Sequence, residues 1–115
     1  MTDISATDKQ APIWVVAYNH DYHEYAHAFG DPRLAVIDIA REFSLTAAIS
    51  RAGANEAFWE RVNEEYAANS WKGLMVHSLD PKSLEMMKVA PEDLQFTLED
   101  LAEADPDFAI TPPAP

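Results

Sequence analysis

The hydrophobic pattern of the chain begins with an uninterrupted apolar run of six residues, IWVVAY at 13–18. A run of β-branched, aromatic and small apolar residues of this length is too short to span a membrane and is typical of a strand buried on both faces. A second short apolar run, within GLMVHS at 73–78, predicts another buried strand. We therefore expect a small sheet in which these two strands lie side by side.

Between these two runs the apolar residues recur at helical spacing, which predicts three helices. The first begins at Asp31-Pro32, where a capping carboxylate precedes a proline whose missing N–H is tolerated in the first turn. The second continues through Ile49 and ends at Gly53, a natural helix stop. The third begins at Asn55 and is clearly amphipathic, with aromatic residues on one face and glutamates on the other.

Three further segments are predicted to be helical. In residues 20–29 the aromatic positions Tyr22, Tyr25 and Phe29 fit a helical face, and a glycine follows. The pair Asp80-Pro81 repeats the cap-and-proline signal and predicts a short helix through residue 87. Residues 98–104 are predicted to form a helix after a short extended piece.

These elements predict an α+β fold with a single domain over residues 12–105. Its short buried sheet, with strands near 13–18 and 73–78, is expected to be covered by several helices. We expect flexible termini: a polar N-terminal arm at 1–11 and a proline-rich C-terminal tail at 106–115.

The charge of the chain is strongly acidic and unevenly distributed. The 115 residues include 20 acidic and 8 basic side chains, for a formal net charge of −12. The last basic residue is Lys88, and only acidic charges follow it. A field of this sign repels nucleic-acid phosphates and anionic lipids and attracts basic protein surfaces. We therefore expect neither direct nucleic-acid binding nor membrane association, although an acidic surface can also serve solubility alone.

The absence of cysteine excludes disulfides and thiolate metal sites. No secretory leader is predicted, because residues 1–10 are polar and lack an apolar core. These two features predict a cytoplasmic protein, or one associated with a virion if a phage encodes it. With only three glycines, the chain also offers no glycine-rich phosphate-binding loop.

The sequence His23-Glu24-Tyr25-Ala26-His27 satisfies the pattern H-E-x-x-H. On a helix both imidazoles would lie on one side, one turn apart. This pentapeptide resembles the zincin metalloproteases, and the resemblance implies zinc held by His23 and His27 with Glu24 as the catalytic base. The chain departs from the longer zincin pattern at Arg33, where that pattern has a third metal ligand.

Two other interpretations of this segment stay open. On the predicted helix the histidines lie opposite the apolar face, which is typical of a solvated polar surface with no cofactor. His20, His23 and His27 together also form a candidate site for weak binding of a divalent metal.

Residues 40–51 resemble the helix-turn-helix of DNA-binding repressors. A recognition helix needs positive charge, and the second half of this segment offers only Arg51. Two helices packed in the core are therefore the favoured interpretation.

The leading hypothesis is a non-enzymatic protein that uses an acidic surface to occupy a basic site on a macromolecular partner, possibly a nucleic-acid-binding protein. Inhibitors, immunity proteins and nucleic-acid mimics, including phage-encoded ones, act in this way. The candidate interaction residues are Glu92, Asp93, Glu99, Asp100 and Glu103. Two alternatives are a minimal zinc hydrolase built on the H-E-x-x-H pattern and a structural subunit of a larger assembly such as a phage particle.

Overall fold

The computed structural model describes residues 12–20, 23–69 and 71–106. The arm expected at 1–11 and all but the first residue of the tail expected at 106–115 lie outside this part of the chain. The described residues form a small α+β domain with a four-stranded antiparallel sheet, which confirms the predicted fold class. None of the helices in these ranges is both long and apolar enough to cross a membrane.

The strands are β1 (Ile13–His20), β2 (His23–Phe29), β3 (Trp71–Leu79) and β4 (Met86–Val89). The helices are α1 (Pro32–Glu42), α2 (Thr46–Ala52), α3 (Glu56–Ala68) and α4 (Leu98–Ala104), with a 3-10 turn at Pro91–Asp93. Both predicted strands are therefore present, as β1 and β3. The helices expected after Asp31, before Gly53, after Asn55 and over 98–104 are confirmed as well.

The order of strands in the sheet is β2-β1-β3-β4, so β1 pairs with both β2 and β3. Val16 is opposite His27 on β2 and Val76 on β3. Alternate residues of a strand point to opposite faces, and Val16 and Val76 are fully buried, whereas Met75 is 41% exposed. The helices therefore cover one face of the sheet and leave the other open to solvent, so the expectation of a strand buried on both faces is wrong.

The core is formed by the covered face of the sheet and the four helices. Each helix contributes buried apolar side chains: Val36 and Ile39 from α1, Ile49 from α2, Phe58 from α3, and Leu101 from α4. Because Ile49 is fully buried, the segment that resembles a helix-turn-helix uses both of its helices for packing, as favoured from the sequence.

The helix predicted over residues 20–29 is wrong, because His23–Phe29 forms the edge strand β2. The residues of β2 that share the covered face of the sheet include Tyr25, His27 and Phe29, whereas the alternate positions carry alanine and glutamate. The spacing of Tyr25 and Phe29 fits a helical face and a strand face equally well. The segment forms a strand because the backbone of β1 pairs with it along its whole length.

The short helix predicted after Asp80-Pro81 is also wrong. The Asp80 side chain accepts a hydrogen bond from the Lys82 backbone N–H at 2.8 Å, and its carbonyl accepts one from Leu84 N–H at 2.7 Å. These bonds close a turn between β3 and β4, with Leu84 at a positive φ of 62°. A short polar side chain before proline signals a turn as readily as a helix start.

Candidate functional site

The five acidic residues singled out from the sequence lie in one segment of the chain after β4. Glu92 and Asp93 belong to the 3-10 turn, Glu99 and Asp100 to the first turn of α4, and Glu103 to its end. All five are exposed. We call them the acidic surface.

The segment that carries the acidic surface is attached to the core at two places before α4 begins. The indole N–H of Trp59 on α3 donates a buried hydrogen bond to the Leu94 carbonyl, at 3.2 Å. Two backbone hydrogen bonds, of 2.9 and 3.0 Å, join Ala54 to Phe96. Both attachments lie between the 3-10 turn and α4, so they fix the path of the chain that presents the carboxylates.

Gly53 is needed for the second attachment. Its φ of 78° and ψ of −168° belong to a backbone region that is essentially restricted to glycine. A Cβ at this position would lie 2.7 Å from the backbone N of Leu98 and from the backbone O of Phe96. The absence of a side chain at Gly53 therefore lets the start of α4 pack against the end of α2.

The five carboxylates differ in how much the protein itself uses them. Glu103 forms an ion pair of 2.8 Å with Arg33 of α1. Asp100 accepts the backbone N–H of Thr97 at 3.1 Å and so completes a capping box at the start of α4. Within the described residues, the side chains of Glu92, Asp93 and Glu99 have neither a hydrogen bond nor an ion pair. These three carboxylates are therefore available to an external partner.

The structure does not provide the geometry that the H-E-x-x-H hypothesis requires. His23 and His27 are four residues apart on a strand, which separates them by about 13 Å at a rise of about 3.3 Å per residue. Glu24 alternates with them and points to the opposite face of the sheet. The zinc hydrolase hypothesis, in which one helical turn joins two imidazoles and a catalytic glutamate, is wrong on this point.

The three candidate metal ligands His20, His23 and His27 do not converge in the structure either. His20 and His23 are cross-strand neighbours at the end of the β1–β2 hairpin. The His20 ring packs on Trp71 with ring centroids 4.4 Å apart, and its Nε2–H donates to the Asn69 carbonyl at 3.0 Å. His27 lies further along β2 and contacts α1 instead.

His27 belongs to a network of polar side chains between β2 and α1 that the sequence did not reveal. Its Nδ1–H donates to Asp38 Oδ2 at 2.8 Å, and the Tyr18 hydroxyl donates to the same oxygen at 2.6 Å. Beside them, the Tyr25 hydroxyl donates to Glu42 Oε1 at 2.6 Å. We call these five residues the His27 network.

The environment of the His27 network shifts the pKa of three of its members. The hydrogen bond to Asp38 raises the pKa of His27 above its usual value. Burial, followed by the hydrogen bond to Asp38, strongly raises the pKa of Tyr18. Burial and the hydrogen bond to Glu42 raise the pKa of Tyr25 to about 12. Both phenols therefore stay protonated at neutral pH and act as hydrogen-bond donors to the two carboxylates.

One sequence signal could have pointed to this network. Asp38 and Glu42 are spaced i, i+4 on α1, which places two carboxylates on the same side of the helix. Their partners Tyr25 and His27 come to that side only because β2 is a strand, which the sequence pattern did not indicate.

Comparison with known proteins gives no match: no family model, curated protein or solved structure is significantly similar to this chain. Any function must therefore be argued from the described residues themselves.

Proposed function

We propose that this protein binds a basic surface of a macromolecular partner through its acidic surface, as inhibitors, immunity proteins and nucleic-acid mimics do. The proposal is supported by the exposure and the lack of ion pairs of three residues, Glu92, Asp93 and Glu99. These carboxylates are exposed, they have no ion pair within the described part of the chain, and no lysine or arginine lies between residues 91 and 105.

The lack of internal ion pairs favours binding to a cationic partner. A carboxylate that is already paired must lose that pair before it can serve a partner, as Glu103 would have to lose Arg33. Glu92, Asp93 and Glu99 carry no such penalty. Charges of this kind mainly accelerate association and make it sensitive to salt, because the screening length falls to about 10 Å at 0.1 M ionic strength.

The scaffold also supports the proposal, because the charges are carried on a chain path held by the core. Attachment through Trp59 and the Ala54–Phe96 pairing limits the conformational entropy that the segment can lose on binding. An acidic segment that became ordered only on binding would bind more weakly for the same charge.

A triple variant that removes charge without changing shape tests the proposal: Glu92→Gln, Asp93→Asn and Glu99→Gln. Wild type and variant are immobilised in parallel and exposed to a lysate of the source organism, and captured proteins are identified by mass spectrometry. We expect a basic protein on the wild type that is reduced at least tenfold on the variant and that elutes between 50 and 300 mM salt, values on the order of the screening range.

A second triple variant provides the control for net charge. Glu24→Gln, Glu64→Gln and Glu85→Gln remove the same charge from exposed positions on β2, on α3 and before β4. This variant should capture the same partner as the wild type. If both triple variants lose the partner equally, or if capture does not depend on salt, the acidic surface is not the binding site.

A further inference from the structure

The His27 network brings three metal-ligating side chains to one place. One ligand atom each from His27, Asp38 and Glu42 lies within 4.8 Å of the other two. His27 comes from β2, and the two carboxylates come from consecutive turns of α1. We propose that His27, Asp38 and Glu42 form a binding site for a divalent transition-metal ion of the zinc type.

The spacing of the three ligand atoms suits such an ion. Zinc bonds of about 2.0–2.2 Å place tetrahedral ligands roughly 3.3–3.5 Å apart. The 2.8 Å hydrogen bond between His27 Nδ1 and Asp38 Oδ2 is shorter than this spacing. It has to open by about 0.5 Å, which is within the reach of side-chain rotation. On binding, Nδ1 gives up its proton: a doubly protonated imidazole releases that proton to solvent, and a neutral imidazole changes to the tautomer that is protonated at Nε2.

The chemistry of the ligands selects the class of ion. One imidazole and two carboxylates suit zinc and its neighbours in the first transition row, whereas magnesium and calcium favour sites made of oxygen alone. Three protein ligands leave a further coordination position for water. The two carboxylates, which otherwise repel each other at i, i+4, would share one cation.

The tyrosines of the network hold the carboxylates in position. The Tyr18 hydroxyl donates to Asp38 and the Tyr25 hydroxyl donates to Glu42, both at 2.6 Å. Hydrogen bonds of this kind orient metal ligands and typically account for 10- to 100-fold in affinity. Tyr18 is itself fixed in the core, because it is only 2% exposed.

An ion can also reach the site from solvent. The side chain of His27 is 40% exposed, whereas that of Asp38 is 14% exposed. The site therefore opens on the side of the edge strand β2 and closes toward the core. An ion bound there would connect β2 to α1, a part of the fold that does not include the acidic surface. The metal site and the proposed function can therefore fail independently.

Calorimetric titration of the tag-free, full-length protein with ZnCl₂, after removal of metals with a chelator, tests the site. We expect one equivalent of Zn²⁺ to bind, and no comparable binding of Mg²⁺ from MgCl₂. His27→Ala and Asp38→Asn should each weaken zinc binding at least tenfold. Tyr25→Phe, which keeps every ligand, should weaken it by about tenfold through loss of the hydrogen bond to Glu42.

His23→Ala is the matched control, because His23 lies on the same strand and outside the network. It should bind zinc as the wild type does. If wild type binds no zinc up to about 1 mM (a free energy of binding near −4 kcal/mol), the proposal is wrong. It is also wrong if His23→Ala, and not His27→Ala, loses affinity for zinc.

Circular dichroism of each metal-free variant checks its fold. Glu42→Gln, at the end of α1, replaces any ligand variant that does not fold.

Discussion

Tyr18 and Asp38 are joined by a hydrogen bond of 2.6 Å that ties the central strand β1 to helix α1. The phenol is almost fully buried, and the carboxylate accepts a second hydrogen bond from His27. The bond therefore connects three elements of the fold, β1, β2 and α1. Its acceptor is a carboxylate, and a hydrogen bond to a charged group contributes more to stability than a hydrogen bond between two neutral groups.

Tyr18→Phe should lower the free energy of unfolding by about 1.5–3 kcal/mol, the usual contribution of a hydrogen bond to a charged group. The ring volume is kept, and Asp38 retains its hydrogen bond from His27, so the change isolates the hydroxyl. Urea unfolding at pH 7 with a chelator present measures the effect as a shift in midpoint at constant slope. Tyr25→Phe is the comparison and should lower the free energy of unfolding by less. Tyr25 is less buried than Tyr18, and water can replace its hydroxyl near Glu42. Equal stability of Tyr18→Phe and wild type would contradict the expected role.

Gly53→Ala should destabilise the protein by at least about 1–3 kcal/mol, the strain of a non-glycine residue in this backbone region. The added Cβ would also approach the backbone of Leu98 and Phe96 to 2.7 Å, and backbone cannot rotate away as a side chain can. Gly30→Ala is a matched control, because a Cβ there meets nothing within 4 Å. Thermal unfolding of the two variants should give a lower melting temperature for Gly53→Ala only.

The stability of α1 should depend on pH through its N-cap. Asp31 accepts hydrogen bonds from the Arg33 guanidinium at 2.6 Å and from the Arg33 backbone N–H at 2.9 Å, and these bonds lower the pKa of the Asp31 carboxyl. A carboxyl whose pKa is lower in the folded than in the unfolded state stabilises the fold above the unfolded pKa, about 4. That stabilisation disappears as the pH falls through the folded value.

Asp31→Asn tests this dependence, because asparagine also caps helices but carries no charge. Wild type should be more stable than Asp31→Asn by about 0.5–1 kcal/mol at pH 7, the range of a partly exposed ion pair. The difference should shrink toward zero as the pH falls below the unfolded pKa of about 4, in urea titrations repeated across pH. A difference that stays constant over this range would show that the charge of Asp31 is not its source.

The parts of the fold that the sequence predicted are those in which a single pattern decides the structure. The apolar runs of β1 and β3 allow no amphipathic helix, and the cap at Asp31 followed by proline starts α1 as expected. The edge strand β2 has no such pattern. Its covered face carries His27 between two aromatic residues, while its open face carries alanines, so the usual division of apolar and polar residues is inverted.

The same inverted pattern on β2 explains why the sequence did not predict the candidate metal site. His27 lies on the covered face because it hydrogen-bonds to Asp38 of α1, as Tyr25 does to Glu42. An apolar surface is not the reason for its position. A pattern that records only hydrophobicity cannot anticipate a polar contact between residues 11 positions apart on two elements. The acidic surface, in contrast, consists of charged side chains, which are rarely buried unless paired, so its exposure could be expected from the sequence.

Thr97→Ala should lower stability by about 0.5–2 kcal/mol, because Thr97 caps α4 and each side of its capping box satisfies a backbone N–H. α4 has only seven residues, so loss of the cap should loosen the turn that presents Glu99. Thr46→Ala is the matched control, since Thr46 begins α2, where no side chain caps the helix. Hydrogen exchange should then be faster at Asp100 N–H in Thr97→Ala and unchanged in Thr46→Ala. If α4 exchanges at the same rate in both variants, the capping box does not hold the acidic surface in place.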